Sequence, residues 1–430
     1  MKSTSFLTLF LAFLFINQNS NGQLSLQFNP IPPGLNINST NPVYATNIYY
    51  DNIDTSKQAF HIFLPDTANN HPLVIFIHGG GFRGGDRDQI FSDVGLQQSA
   101  KYFLENNVAF ATIGYRLLPP DLATYTDSIG VIKCLGDSKR ALQFIRHYSN
   151  DLYINPEKIA LKGSSAGAGT SLWLASRSDM AETNSADPVL QQSTRVCAAH
   201  VRGSQSTYDL YKWETNVYEN FDGLGTTYTV DSMVQLIGFE RYADFYGGLD
   251  SNYHFLYDPT LIQYREDVDM LFHMSDDDPA IYIESPSQAN HPSEDLMHHS
   301  LHALEIYNTA VAASINEVIC NISAQGIDNT AGETGDQFLL RLLGTCSLSL
   351  SSEDSVKPIN YNIFPNPSSD LIYLQGLAGN ESIQVLNMSG QFIQSIRNNN
   401  QIDVSNLSPG TYLIVIQNKH TTEVLKFLKN

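Results

Sequence analysis

The stretch "NPEKIALKGSSAGAG" constrains the fold of this chain more strongly than any other. An apolar segment runs there directly into a glycine-rich turn, and a helix is predicted after the turn, over Thr170–Ser176. The stretches "PLVIFIHGGG" and "VAFATIGYRLL" (Val108–Leu118) are continuous apolar runs, typical of strands that are buried on both faces of a sheet. Helices predicted near residues 96–106 and 127–149 alternate with these strands. This order predicts an α/β fold with a mostly parallel sheet and helices on both faces.

The predicted sheet continues on both sides of these strands. Two strands are expected before them, near Tyr44–Tyr50 and Gln58–Leu64. Three more are expected after them, in "RVCAAHVRG", at Pro279–Glu284 and at Glu317–Ala324. The α/β domain is therefore predicted to extend over residues 23–346.

A long insertion interrupts this domain at about residues 207–272. It is rich in Tyr and Phe, and it is too long to be a plain connection between a strand and the next element. We expect it to form a cap over the carboxyl ends of the strands. Most of its aromatic side chains should pack within the cap, and a few should line a substrate cleft.

Both ends of the chain differ from the α/β domain. Residues 1–22 are interpreted as a signal peptide, because Lys2 precedes the apolar run Phe6–Ile16 and small residues follow it. That run is well short of the ~20 residues a bilayer requires, so no membrane-spanning segment is expected. At the other end, residues 347–358 form a Ser-rich linker, and the short alternating segments of 359–430 predict a small antiparallel β-sandwich.

Composition narrows the choice of partners and cofactors. The chain carries 44 acidic and 24 basic residues, a formal net charge of −20, which disfavours binding to nucleic acid or to anionic membranes. Its 4 cysteines match no zinc pattern, and no H-E-x-x-H motif occurs, so no metal and no cofactor are expected. Three disulfide pairings remain open, and for Cys134 and Cys197 a buried free thiol is the ordinary alternative.

A G-x-S-x-G pattern falls on residues 163–167, and only Ser165 has the offsets of a nucleophile within it. Such a serine lies in a strained turn between a strand and a helix, where crowding requires small neighbours. The glycines of "HGGGF" stand about 85 residues earlier, at the end of a buried strand. Acyl transfer needs amide donors where negative charge develops, and a bare glycine loop provides them. The two motifs together predict serine-based acyl transfer.

Several ordered motifs resemble the carboxylesterase and hormone-sensitive-lipase-like branch of the α/β-hydrolases. They are "HGGGF", "YRL", "NPEKIALKGSSAGAGTSLWLA" with an Asp upstream, and "DDPAIYI". The resemblance extends over about residues 44–343. It implies that Ser165 is the nucleophile and that Gly80, Gly81 and Ala166 supply the oxyanion-hole amides. His78 matches a structural residue at the base of the loop.

The sequence departs from that family at the catalytic base. Relatives usually carry the histidine on the loop after the last strand, but "QGIDNTAGETGD" contains none. His298 and His299, on the loop after "PAIYIE", are the candidates, and such a pair resembles a subgroup of these esterases. Glu284, Glu294 and Asp295 are possible orienting carboxylates. Glu284 keeps the chain order nucleophile, acid, base, whereas Asp295 is four residues before His299 and could meet it on one helical face.

The C-terminal motifs "NIFPNPSSDLIYLQ", "VLNMSGQFIQ" and "IDVSNLSPGTYLIVIQN" resemble the type A sorting domain of the type IX secretion system. The resemblance implies that the chain is a substrate of that machinery, exported through the periplasm and across the outer membrane to the cell surface or medium. A carbohydrate-binding or adhesive β-sandwich is the alternative.

These patterns predict a secreted serine hydrolase that acts on small-molecule or polymer-linked carboxylic esters by a Ser-His-acid acyl-enzyme mechanism. Because the usual histidine is missing, a catalytically degenerate scaffold that serves as a surface binding protein is the competing hypothesis. An imidazole within hydrogen-bond reach of Ser165 would favour the enzyme.

Overall fold

The computed structural model describes most of the chain between the predicted signal peptide and the C-terminus. The predicted signal peptide, residues 1–22, and linker residues 349–358 lie outside the described residues. No helix among the described residues combines the length and the apolar character needed to span a bilayer. The described residues are 24–32, 35, 41–119, 129–219, 221, 228–247, 259–348, 361–377, 381–388, 392–397, 400–417 and 422–430.

A large sheet forms the centre of the α/β domain. Its strands are β1 (Asn29–Pro30), β2 (Val43–Tyr49), β3 (Ala59–Leu64), β4 (His71–Ile77), β5 (Ala109–Ile113), β6 (Ile154–Ser164), β7 (Ala198–Arg202), β8 (Ala280–Glu284), β9 (Val318–Ile322) and β10 (Ile327–Asp328). Within the described residues their order is β1-β2-β3-β5-β4-β6-β7-β8-β9-β10. The six central strands, in the order β5-β4-β6-β7-β8-β9, pair in parallel. The strands at the two edges of the sheet, β1 to β3 and β10, pair antiparallel. The predicted mostly parallel sheet is confirmed.

Helices lie along the sheet and in the insertion between β7 and β8. They are α1 (Val94–Glu105), α2 (Ile132–His147), α3 (Ala166–Ser176), α4 (Leu210–Lys212), α5 (Val230–Ile237), α6 (Phe239–Phe245), α7 (Pro259–Asp267), α8 (Met270–His273), α9 (Ser300–Ala312) and α10 (Gly335–Thr345).

Alternate residues of β4 explain why its sequence is continuously apolar. Leu73, Ile75 and Ile77 belong to one buried cluster, which also contains side chains of α2, α3 and α9. Val74 and Phe76 belong to a second cluster with side chains of α1 and α10. Both faces of the strand are therefore covered, as expected for a parallel strand with helices on each side.

Some predicted boundaries differ from the structure. The strand predicted at Val108–Leu118 ends at Ile113, and a Cβ on the following Gly114 would lie 2.4 Å from the carbonyl oxygen of Lys57. The helix after the serine motif begins at Ala166, four residues earlier than predicted. Helix α2 covers 132–147, and the predicted helix start at residue 127 lies outside the described residues.

The insertion between β7 and β8 contributes helices α4 to α8. Aromatic and aliphatic side chains of this segment form a separate buried cluster that includes Trp213, Tyr218, Tyr242 and Tyr246. The ring of Phe82, from the glycine loop, contacts the rings of Tyr208 and Phe245. We call this segment the cap. It lies directly beside the glycine loop.

The cysteines form a bridge that the sequence did not predict. Cys197 is bonded to Cys346, whereas Cys134 and Cys320 are free and buried. The alternative of a buried free thiol is therefore wrong for Cys197. It lies just before β7, and the end of α10 packs beside that strand, which brings together two residues separated by 149 positions.

The C-terminal segment forms two small antiparallel sheets around a core of its own, as predicted. One sheet has the order β11-β12-β15, and the other has the order β14-β13-β16-β17. The strands are β11 (Asn362–Phe364), β12 (Leu371–Gln375), β13 (Ser382–Asn387), β14 (Phe392–Arg397), β15 (Gln401–Asp403), β16 (Gly410–Gln417) and β17 (Thr422–Lys429).

Candidate active site

Ser165 occupies a strained turn between β6 and α3. Its backbone has φ 53° and ψ −122°, a combination that costs energy in a residue with a side chain. The Ser165 amide donates a hydrogen bond to the carbonyl of Arg202, 2.9 Å away, at the end of the neighbouring strand β7. The turn thus projects the serine at the carboxyl end of the sheet.

Two glycines make this turn sterically possible. A Cβ on Gly163 would lie 2.2 Å from the carbonyl oxygen of Gly167. A Cβ on Gly167 would lie 2.0 Å from the carbonyl oxygen of Ile77, on the adjacent strand β4. The obstructing atoms are backbone, which has little freedom to move. The spacing of the G-x-S-x-G pattern therefore follows from close backbone approach.

The glycine loop after β4 packs against the serine turn. A Cβ on Gly79 would lie 2.7 Å from the carbonyl oxygen of Ser164, and Gly80 and Gly81 have φ values of 107° and 59°. None of the hydrogen bonds found among the described residues uses the amide of Gly80, Gly81 or Ala166 as donor. A backbone amide without such a bond is able to donate to a ligand.

His78 lies at the start of the glycine loop and packs against it. Its Nδ1–H donates to the carbonyl of Gly79 over 2.8 Å, and its ring stacks on Tyr115 at a centroid distance of 4.2 Å. The hydroxyl of Tyr115 donates to the His78 carbonyl over 2.9 Å. Burial lowers the pKa of His78 to about 4, so the ring is neutral at physiological pH. These contacts suit the structural role that the family resemblance implies.

His298 is the histidine that the structure brings to Ser165. Its Nε2 lies 2.9 Å from the serine Oγ, and its Nδ1 lies 3.1 Å from Oδ1 of Asp295. Because a carboxylate accepts, Nδ1 carries the proton and Nε2 has a free lone pair toward the serine hydroxyl. The His298 amide also donates to Asp295 Oδ1, and the Ser287 hydroxyl donates to Oδ2 over 2.9 Å. All of these residues except Ser165 belong to the loop between β8 and α9.

The other two carboxylates considered in the sequence have different partners. Glu284 accepts hydrogen bonds from His200 Nε2 (3.1 Å) and from Arg202 Nε (2.9 Å). Burial alone would raise its pKa, but these two partners lower it to about 2. Glu294 accepts from the Asn290 amide. The orienting position predicted for Glu284 is thus occupied by Asp295, because the loop after β8 folds back on itself and Glu284 remains at the end of its strand.

His299 lies next to His298 in sequence but not at the serine. Its Nδ1 accepts from the Leu301 amide over 3.3 Å and so caps helix α9, and its ring is buried beside Tyr218. The i, i+4 hydrogen bond considered for Asp295 and His299 is replaced by an i, i+3 contact between Asp295 and His298. The sequence feature that could have predicted this contact is the D-x-x-H spacing in "EDLMHH", which places Asp295 three residues before His298.

Two cavities meet at Ser165. One has a volume of about 300 Å³ and is lined mainly by apolar side chains, including the cap residues Tyr208, Trp213 and Phe245. The other has a volume of about 1030 Å³, and most of the residues that line it have polar side chains, among them Asp86 and Glu284. We call them the apolar cavity and the polar cleft. An ester carbonyl at Ser165 would therefore have space for a substituent on either side.

Two family models match the chain. Residues 60–238 match the BD-FAE family, and residues 362–430 match the secretion system C-terminal sorting domain. Residues 60–238 of the chain thus match an esterase- and lipase-like α/β-hydrolase family, and its C-terminal segment matches a type IX sorting domain. The first match includes the glycine loop and Ser165 and ends within the cap, before the loop that carries Asp295 and His298. The second match covers β11 to β17 of the C-terminal segment and indicates secretion to the cell surface or the extracellular space.

Known proteins similar to this chain include a curated relative and several solved structures. Glutactin of Drosophila melanogaster is 28% identical over 108 residues, which are 25% of this chain and 10% of Glutactin, so the match spans about a tenth of that relative. A truncated carbohydrate esterase from gut microbiota has a TM-score of 0.48 at 14% identity, covering 70% of this chain and 96% of that one. Esterase B from Lactobacillus rhamnosis has a TM-score of 0.46 at 16% identity, covering 72% of this chain and 89% of that one.

Proposed function

We propose that this chain is a secreted serine esterase that cleaves carboxylic esters through an acyl-enzyme. The observation that carries the proposal is the hydrogen-bonded series from Ser165 Oγ to His298 Nε2 (2.9 Å) and from His298 Nδ1 to Asp295 Oδ1 (3.1 Å). Nucleophile, base and orienting carboxylate are the parts that activate a serine hydroxyl. Strain at Ser165 and unused amides beside it add support, because a binding protein has no need of them.

In the acylation step, Ser165 Oγ attacks the ester carbonyl carbon while its proton passes to His298 Nε2. The carbonyl oxygen becomes an oxyanion, which accepts hydrogen bonds from the amides of Gly80, Gly81 and Ala166. Asp295 stabilises the imidazolium through Nδ1–H. The tetrahedral intermediate then expels the alcohol, and His298 returns the proton to the leaving oxygen.

In the deacylation step, a water molecule takes the place of the alcohol. His298 accepts a proton from this water as it attacks the acyl carbon, and the same amides hold the second oxyanion. Expulsion of Ser165 Oγ, reprotonated by His298, releases the carboxylic acid. Each histidine proton transfer is thus reversed within one turnover, and no cofactor is consumed.

The polar cleft favours an ester of which one part, acyl or alcohol, is large and polyhydroxylated. Carboxylates such as Asp86 and Glu284 line it, and they can accept hydrogen bonds from substrate hydroxyl groups. The sorting domain supports a site of action outside the cell, reached through the periplasm and outer membrane. Polymer-linked esters would be met there.

Hydrolysis of 4-nitrophenyl acetate and butyrate tests the proposal. Ser165→Ala and His298→Ala are each expected to lower kcat/KM by about 10⁴-fold or more, as when a triad member is removed. His291→Ala is the matched control, because it removes an exposed imidazole from the same loop whose hydrogen bonds are to Ser293 and Tyr228. Equal rates for wild type and Ser165→Ala would reject the esterase proposal and favour a binding role.

A further inference from the structure

A half-buried arginine is among the mainly apolar residues that line the cavity beside Ser165. Arg241, on helix α6 of the cap, lines this cavity together with Gly81 and His298. Its guanidinium packs against the glycine loop so closely that a Cβ on Gly81 would lie 2.5 Å from Nη2. The guanidinium therefore lies at the wall of the space that a substrate group would enter.

Arg241 differs from neighbouring arginines in having no carboxylate partner among the described residues. Arg83 pairs with Asp244 over 2.7 Å, and Arg265 pairs with both oxygens of Asp209 at 2.7 and 3.0 Å. Burial and the nearby charge of Arg83 both lower the pKa of Arg241. The surroundings thus penalise this charge instead of compensating it.

A half-buried guanidinium without a carboxylate partner is incompletely solvated, and a bound anion would reduce the free-energy cost of that desolvation. Among anions, a carboxylate matches the planar fork of arginine and can accept two parallel hydrogen bonds. A volume of about 300 Å³ is at the low end for ligand sites, so the group that enters must be compact. A short dicarboxylic half ester or an aromatic acid meets both conditions.

We propose that Arg241 binds a carboxylate on the part of the ester that occupies the apolar cavity, so that the enzyme prefers anionic over neutral esters. The inference rests on the proposed esterase function and adds a substrate class to it. Arg241 is in this view a specificity-determining residue, and the carboxylate it binds is remote from the ester group that reacts at Ser165.

Paired esters that differ only in this charge test the preference. On the acyl side, 4-nitrophenyl hydrogen glutarate is compared with 4-nitrophenyl pentanoate; on the alcohol side, 4-acetoxybenzoate is compared with 4-methylphenyl acetate. Arg241→Gln is expected to lower kcat/KM for the anionic member of one pair by about 10- to 100-fold, with less than about threefold change for its neutral partner. Arg241→Lys should retain part of the preference.

The matched control is Glu240→Gln, which removes a charge from the exposed neighbouring position of the same helix and should leave both ratios unchanged. Unimpaired hydrolysis of the neutral esters shows that each variant is folded. An equal fall in kcat for all four esters would mean that Arg241 acts on the oxyanion, and this result would overturn the proposal. Unchanged ratios in both pairs would also overturn it.

Binding to an inactive variant separates this inference from the esterase proposal. Monoethyl glutarate is titrated by calorimetry into Ser165→Ala and into the double variant Ser165→Ala, Arg241→Gln. Weakening of binding by about tenfold or more in the double variant supports the anion site even if no ester is hydrolysed. Absence of binding to Ser165→Ala, or equal binding to both variants, overturns the inference whatever the outcome of the hydrolysis assays.

Discussion

At the residue scale, the proposed esterase mechanism depends on the hydrogen bond from His298 to Asp295, which would orient the imidazole as a base. An amide at position 295 would present an NH₂ group or a weaker acceptor and would favour the wrong tautomer of His298. We therefore expect Asp295→Asn to lower kcat for 4-nitrophenyl butyrate by about 10³- to 10⁴-fold with little change in KM.

Glu284→Gln is the matched control for this prediction, since it makes the same carboxylate-to-amide change at the end of β8. The Glu284 partners are His200 and Arg202, so kcat should change by less than about tenfold. If Glu284→Gln were the more damaging variant, the acid would have to be reassigned to Glu284.

His302 is a buried residue whose lowered pKa is expected to make the free energy of unfolding depend on pH. Its Nδ1 lies 3.3 Å from the Ser206 amide and accepts from it, while Nε2–H donates to the Leu296 carbonyl over 3.1 Å. Burial lowers the pKa of His302 to about 3 from an ordinary value of 6.5. The unfolded chain therefore binds a proton at this site between pH 6.5 and pH 3, and the folded chain does not.

The sign of the effect follows from this difference in bound protons. The stabilisation is complete above pH 6.5 and is lost as the pH falls, by up to about 1.4 kcal/mol of unfolding free energy per pH unit. Urea unfolding at pH 7 and pH 5 should show a smaller decrease for His302→Gln than for wild type. His291→Gln, on the surface, should leave the decrease unchanged, and equal decreases in all three proteins would contradict the assignment.

At the element scale, the junction of β6 and α3 depends on glycine for steric reasons. A methyl group at Gly163 would meet backbone atoms of Gly167 at 2.2 Å, so the turn must distort. Gly163→Ala is expected to reduce the free energy of unfolding by about 1–3 kcal/mol or more and to reduce activity further, because Ser165 is displaced.

Gly136→Ala is a matched control within helix α2, where an added Cβ meets nothing within 4 Å. That substitution should raise the free energy of unfolding by about 0.5–1 kcal/mol, because alanine favours the helix. Urea unfolding and ester hydrolysis of both variants give the comparison. A neutral effect of Gly163→Ala would show that the turn can relax and would weaken the steric explanation.

At the scale of the whole molecule, the hydrolase and the sorting domain have separate cores. The buried cluster of the C-terminal sheets consists only of residues between Tyr361 and Phe427. We therefore expect a chain truncated after Cys346, which retains the disulfide, to fold and to hydrolyse 4-nitrophenyl butyrate with kcat/KM within about twofold of the full chain. The full chain measured in parallel is the reference, and loss of solubility or activity on truncation would show that the sorting domain stabilises the hydrolase.

Local patterns accounted for the features that depend on neighbours in sequence. The apolar runs of β4 and β5 predicted buried strands, and the glycine spacing around Ser165 predicted the turn. Boundaries were less accurate where tertiary contacts end an element, as at Gly114, whose backbone approaches Lys57. The alternation in the C-terminal segment predicted its antiparallel sheets, since that pattern has a period of two residues.

The sequence by itself determined the order of strands and helices, the serine turn with its glycine loop, and the small antiparallel C-terminal sheets, because short-range sterics and periodicity specify each of these. The sorting domain was identified from the resemblance of its motifs to a known family. Only the tertiary structure decided that His298 and not His299 meets Ser165, that Asp295 and not Glu284 contacts His298, and that Cys197 is joined to Cys346. Each of these contacts depends on the three-dimensional path of a loop. Neighbouring residues with the same chemical groups cannot be distinguished from the sequence alone, because only that path determines which of them reaches the site.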